Sequence, residues 1–161
     1  MVSAPGPLTH ERIKHIHREL LRGIDDREGY RTNDVRVLRA TFDATPAPYV
    51  RADMDVLLAW LAKNIDILHP LVLAGAFHHQ FERLHPFFDG NGRTGRVIIN
   101  FLLMRAGYPP LLVPRKHRAA YLDALHRADA ARLGKPSPET HGEFISFLAA
   151  ELVENYWNVF L

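Results

Sequence analysis

The chain of 161 residues contains no cysteine. No disulfide and no thiolate metal site is therefore possible, which fits a reducing compartment. Long apolar runs are also lacking. The longest, over residues 97–104, is interrupted by Asn100 and falls far short of a membrane span. The N-terminal MVSAPGPLTHERIK has no apolar stretch of the signal-peptide kind. These absences lead us to expect a soluble, cytoplasmic protein with no membrane partner. There is no Lys/Arg-rich block and no periodic interleaving of basic and aromatic residues, and the formal net charge is only +2. That balance admits an anionic ligand without singling out nucleic acid, which is not an expected partner. Internal repeats, low-complexity tracts and linkers long enough to divide the chain are missing as well.

What remains is an ordinary globular composition, 47% hydrophobic and 24% charged, of a length that suits one domain. Residues 1–8 hold Pro5, Gly6 and Pro7 and read as a flexible N-terminal arm; residues 9–161 read as a single domain. Thr9 is placed to cap a first helix, with Glu11 in its first turn and Leu8 and Ile13 as a hydrophobic staple. Ile13, Ile16, Leu20, Leu21 and Ile24 recur at helical spacing. Between residues 30 and 42, Tyr30, Thr32, Val35, Val37, Thr41 and Phe42 are strand formers around an Asn33-Asp34 turn signal, and predict a small β-hairpin. Residues 45–49, TPAPY, should be extended, because a proline biases its predecessor away from helix. A second helix is expected over about 52–66, with Asp53 as its cap. A third starts at Pro70 and ends before Pro86. RVIINFLLMRAG, apolar on nearly all faces, reads as the buried central helix. Two more helices are expected over roughly 115–132 and 139–158. The fold class is all-α, with a hairpin flap over about residues 29–48.

The stretch that demands a function is residues 85–96, HPFFDGNGRTGR. Its Gly90, Gly92 and Gly95 satisfy GxGxxG, but a dinucleotide fold needs a strand before that turn and here a helix precedes it. No Gly-Lys-Ser/Thr follows, so it is no P-loop. The physical content survives both exclusions. Small residues let backbone N–H groups converge on an anion, and the loop opens into a helix N-terminus, which adds unpaired donors and a positive dipole end. Arg93 and Arg96 lie near one helix face and can clamp phosphate oxygens. Asp89 at the edge of this cradle is the kind of single carboxylate that Mg²⁺ takes beside bound phosphates. His85, at a rigid Pro86 turn, is suited to general-base work. Base, metal ligand and polyphosphate cradle together describe in-line transfer at phosphorus to an incoming hydroxyl.

Residues 85–96 resemble the signature of the Fic family, HPFx(D/E)GN(G/K)RxxR, at every defined position. The similarity extends over about residues 10–155, through the stretch that leads into VLLAWL and the GYPPL after the central helix. The resemblance implies a compact all-helical Fic-type bundle with a small β-hairpin flap. It implies transfer of AMP from ATP to a Ser, Thr or Tyr hydroxyl of a protein target, with release of pyrophosphate. In that reading His85 is the general base and Asp89 holds Mg²⁺. Gly90, Asn91 and Gly92 wrap the phosphates; Arg93 and Arg96 bind them; Phe87 anchors the loop. Tyr121 packs near the adenine or serves as a core aromatic. The flap, with Tyr30, Arg31, Thr32 and Val35, aligns the target by strand addition.

Many members of the family carry an inhibitory (S/T)xxxE(G/N) helix. The nearest segment here is AELVEN, residues 150–155, with Ala150 in the Ser/Thr position. Glu154 is thus a candidate inhibitory residue toward Arg96, against an ordinary charged residue on the last helix. Without self-inhibition, a separate inhibitor protein or a missing part of a longer chain would supply control, and a homo-oligomer is compatible with the family. Alternatives at the same site are another nucleotide donor, phosphotransfer, removal of AMP, or a non-catalytic nucleotide-binding interaction module. Ten histidines raise a transition-metal site as a further option. However, the adjacent His78 and His79 point about 100° apart on a helix and cannot easily share an ion.

Overall fold

The computed structural model describes residues 6–37, 42–130 and 138–160. Helix α1, His10–Leu21, starts as its cap residue dictates: the Thr9 hydroxyl accepts the Arg12 N–H at 3.2 Å. Leu8 and Ile13, the staple pair, are both buried, whereas Ile24 lies beyond the helix end and is exposed. Helix α2, Val50–Asn64, begins and ends two residues before its expected bounds. Its cap is Tyr49, not Asp53, and the Asp53 carboxylate instead accepts the Thr45 hydroxyl at 2.8 Å. The TPAPY segment is extended only at its start. Ala47–Tyr49 forms a 3₁₀ turn that leads into α2, because a proline in the first turn gives up a donor that would have been unpaired anyway.

Helix α3, Pro70–Leu84, is the central element, and this corrects the expectation that placed α4 there. Every residue from Leu73 to Phe81 is buried, and α3 packs against α2, α4 and α6. Helix α4, Asn91–Arg105, leaves Val97 and Met104 exposed on its outer side. Apolarity all round marked the wrong helix because α3 buries polar side chains too: His78, His79 and Gln80 are each at most 2% exposed. The two histidines diverge as their positions require. His78 Nε2 meets the Tyr121 hydroxyl, while His79 sits between Asp129 and His141, 3.2 and 3.1 Å away. A short helix α5, Arg118–Arg127, flanked by 3₁₀ turns, and a long α6, Pro138–Phe160, close the bundle.

The helical class agrees with the reading from sequence; the hairpin does not. Among the described residues there is no strand, and residues 38–41 of the expected hairpin lie outside them. The physical reason is Arg31. Its guanidinium donates to the carbonyls of Asn33 (3.0 Å) and Thr45, one on each leg of the segment. Its own backbone N–H donates to Pro86 at 2.9 Å. Ala47 N–H is likewise taken, by the Asp34 carboxylate at 2.7 Å. Groups that a two-stranded ladder needs are bonded to side chains and to the α3–α4 loop instead.

Candidate active site

The loop between α3 and α4 is set by the way α3 ends. Pro86 forbids another helical turn, and His85 takes the left-handed conformation, φ 52° and ψ 60°. It is the one non-glycine residue with positive φ among those described. Such a conformation costs roughly 1–2 kcal/mol and persists only where the surroundings hold it. They do. The His85 N–H donates to Phe81 at 2.9 Å, and its carbonyl accepts from Arg31 Nε at 2.7 Å.

The His85 ring is oriented by its own helix. Nδ1 lies 3.2 Å from the Glu82 carbonyl, and only the tautomer with a proton on Nδ1 makes that a hydrogen bond. Nε2 then carries the lone pair. Burial lowers the pKa of the imidazole below its ordinary value, opposed by the Glu82 carbonyl bond; the Arg31 charge lowers it further and Asp89 raises it. A neutral imidazole with a defined lone pair is what a general base requires.

Phe87 plants the loop in the core. It is 1% exposed, stacks on His17 at 3.7 Å between ring centroids and packs against Tyr30 and Phe81. Asn91 is buried and clamps the same residue, so its side chain faces the loop backbone and only its main chain is left for a ligand. Gly90 turns left-handed with φ 77°, and a Cβ there would stand 2.7 Å from Leu21 Cδ2. This glycine is required twice, by backbone conformation and by the close approach of α1.

Asp89 is exposed. Its Oδ1 accepts Gly90 N–H at 2.6 Å and its Oδ2 accepts from Arg93 at 2.9 Å. Asp89, Gly90, Asn91, Gly92, Arg93 and Arg96 line one cavity of about 510 Å³ together with His85 and Tyr121. The structure thus gathers these eight residues around a single space, of a size usual for ligand sites. Tyr121 is buried at the wall, and its hydroxyl pKa is raised by burial.

Three charged residues of the lining, Arg115, Arg118 and Glu82, are not marked by the motif. Arg115, in the 3₁₀ turn before α5, and Arg118, at the start of α5, bring the arginines around the cavity to four. Glu82 stands one helical turn before His85. Burial pushes its carboxyl up to about 7 against the pull of Arg96, and Oε1 is buried without a partner. Its position in the last turn of α3, just before the His85 turn, was the available signal.

The four flap residues divide. Thr32 is exposed and Val35 half-buried. Tyr30 bonds His10 Nδ1 through its hydroxyl at 2.9 Å, and the Arg31 side chain is fully buried. Tyr30 and Arg31 therefore face inward. Glu154 is exposed, lies 3.8 Å from Lys116 Nζ and is not among the residues lining the cavity. It joins His117 and Glu151 in the group of three ligand-type side chains whose atoms fall within 4.8 Å of one another among the described residues.

Residues 7–103 match the model of the Fic/DOC family. The chain is 38% identical over 129 residues to the protein adenylyltransferase Fic of Aedes aegypti and 37% identical to that of Drosophila erecta, in each case over 76% of this chain. It spans about a quarter of the length of these relatives. A Fic domain containing signaling protein from Bacteroides thetaiotaomicron superposes with a TM-score of 0.83 at 31% identity, over 92% of this chain and 60% of that one. Fic-1 from C. elegans superposes with a TM-score of 0.77 at 28% identity, over 95% of this chain and 44% of that one.

Proposed function

Because the chain belongs to the Fic/DOC family, we propose that it transfers AMP from ATP to a hydroxyl side chain of a protein target and releases pyrophosphate. The observation that carries this reading is the convergence on one cavity of a neutral, oriented imidazole with the arginines and N-terminal amides of α4. The relatives from Aedes aegypti and Drosophila erecta, which carry the name protein adenylyltransferase, support the same reaction.

The polyphosphate lies in the cradle of Gly90, Asn91 and Gly92; the N–H groups of Asn91 and Gly92, at the start of α4, have no intrahelical partners, while that of Gly90 is held by Asp89. Arg93 and Arg96 neutralise its charge, and Tyr121 walls the cavity. The target hydroxyl approaches the α-phosphorus. Its proton passes to His85 Nε2, its oxygen forms the new bond to phosphorus, and the bond from that phosphorus to the bridging oxygen breaks in line. The electron pair leaves with pyrophosphate, and the arginines stabilise the charge gathered there.

The Asp89 carboxylate fits Mg²⁺. It is a hard oxygen donor, exposed at the cavity edge, and each oxygen keeps a lone pair beyond its present hydrogen bond. Bound there with phosphate oxygens and water, the ion would supply charge neutralisation to the polyphosphate. Thr32 and Val35 present the segment between α1 and α2 to the target.

The test is incubation with Mg²⁺ and ATP labelled on the α-phosphate, with the protein itself and candidate targets as acceptors. Label should appear on protein and vanish with His85→Ala. Equal labelling by that variant, or label transferred from the γ-phosphate instead, overturns the reading.

A further inference from the structure

We propose that Arg31 is a positioning residue for the general base: its guanidinium, reaching from the segment between α1 and α2, holds the left-handed turn at His85 and ties the orientation of the imidazole to the placement of that segment. The proposal rests on His85 as the base of the reaction above.

The side chain of Arg31 is fully buried, yet its nearest carboxylate is an exposed one, Asp34, at the limit of an ion pair, 4.0 Å from Nη1. A buried cation without a close counter-ion is costly unless backbone oxygens satisfy it. Arg31 finds four of them. Nε donates to His85 at 2.7 Å, Nη1 to Asn33 at 3.0 Å, and Nη2 to Thr45 and, at 3.4 Å, to Leu84. Leu84 and His85 form the end of α3. Asn33 and Thr45 are the two legs of the segment between α1 and α2. The backbone N–H of Arg31 adds a bond to Pro86. One planar fork thus spans three pieces of chain, which a lysine ammonium on a flexible stem cannot reproduce. A displacement of either leg is transmitted to the His85 carbonyl, and the His85 ring follows its own backbone.

A staple that serves only folding would give a different result. Arg31 is not among the residues lining the nucleotide cavity, so its loss should spare ATP binding while it damages transfer. The charged groups facing His85 are Arg31 from this segment and Asp89 from the loop; Glu82 of α3 meets it through a carbonyl. Removal of the guanidinium should therefore also raise the pKa of the imidazole.

The experiment compares the full chain with Arg31→Gln and Arg31→Lys. It measures ATP affinity by calorimetry, α-label transfer, and the His85 ring titration by NMR. Misorientation of the base is expected to lower kcat on the order of a hundredfold, with ATP affinity within about threefold. The His85 pKa should rise in Arg31→Gln and much less in Arg31→Lys. A second variant, Thr45→Ala, removes the 2.8 Å bond to Asp53 that fixes one leg. It should lower kcat and shift the His85 ring signals with the fold intact, which keeps the proposal testable if both Arg31 variants unfold. Unchanged kcat and an unchanged His85 titration overturn it, as does a fall of kcat and ATP affinity in equal measure. If the wild-type chain transfers no AMP, the functional reading fails by itself, and the His85 titration still decides the role of Arg31.

Discussion

The Asn91 side chain closes two opposed hydrogen bonds on the backbone of Phe87: Oδ1 accepts from its N–H and Nδ2 donates to its carbonyl, both at 2.9 Å. The amide of Asn91 thus replaces a backbone partner that the loop cannot find elsewhere, and it binds the first residue of α4 to the aromatic anchor of the loop. Asn91→Ala would leave a buried donor and a buried acceptor unpaired. We expect a loss of about 2–4 kcal/mol of stability, read by urea denaturation. Asn91→Asp keeps the acceptor and loses the donor, so it should fall between the two. A loss in Asn91→Ala within experimental error of zero would remove this account of the loop.

Gly90 offers a sharper steric case. Gly90→Ala must both hold a left-handed backbone and push Leu21 away from a 2.7 Å approach. The variant should lose about 1–3 kcal/mol. In the double variant with Leu21→Ala the clash is relieved but the backbone strain is not. The two effects should therefore be non-additive, with the double variant more stable than the sum of single losses predicts.

The transfer rate should be insensitive to mild acid. The His85 pKa is lowered, first by burial, so the imidazole stays neutral and able to accept a proton below the ordinary histidine value of 6.5. Activity is lost as pH falls through the lowered pKa. A profile of single-turnover transfer over about pH 5 to 8 should place the acid limb below 6.5. A limb at or above that value would contradict a buried base.

Glu82 acts on stability with the opposite sign from an ion-paired carboxylate. Its carboxyl keeps its proton to about 7 in the folded chain, against an ordinary 4.5. Across that window the unfolded chain has lost a proton that the folded chain retains, so stability falls as pH rises from 4.5 to 7. The carboxylate Oε1 is shielded while the residue as a whole is half-buried, so the effect should be on the order of 2 kcal/mol, below the full value of the shift. Glu82→Gln, which stays neutral, should raise the thermal midpoint at pH 8 and leave it nearly unchanged at pH 4. Equal effects at both pH values would rule out this source.

Much of this molecule was legible in the sequence because it is decided locally. The Thr9 cap, the start of α3 at Pro70 and its end before Pro86 follow from hydrogen bonds and sterics within a few residues. The set of groups in residues 85–96 is legible for the same reason, since a turn and a helix start bring them together over a short span. What the tertiary structure decided depends on partners distant in sequence. Val35 favours a strand by propensity, yet the carbonyls of Asn33 and Thr45 answer to Arg31. Asn91, a phosphate-wrapping residue by its place in the motif, spends its side chain on Phe87. Arg31, on a segment that reads as a docking flap, turns inward to carbonyls at the end of α3, 54 residues away. Glu82 is an ordinary acidic residue until burial beside α4 raises its pKa. The sequence by itself determined which chemical groups are present, where α1 begins and where α3 begins and ends. Only the packing of α1, α3 and α4 decided which of those groups are buried, how His85 is oriented and what charge Glu82 carries, because burial and dielectric belong to the assembled fold and not to any local stretch of chain.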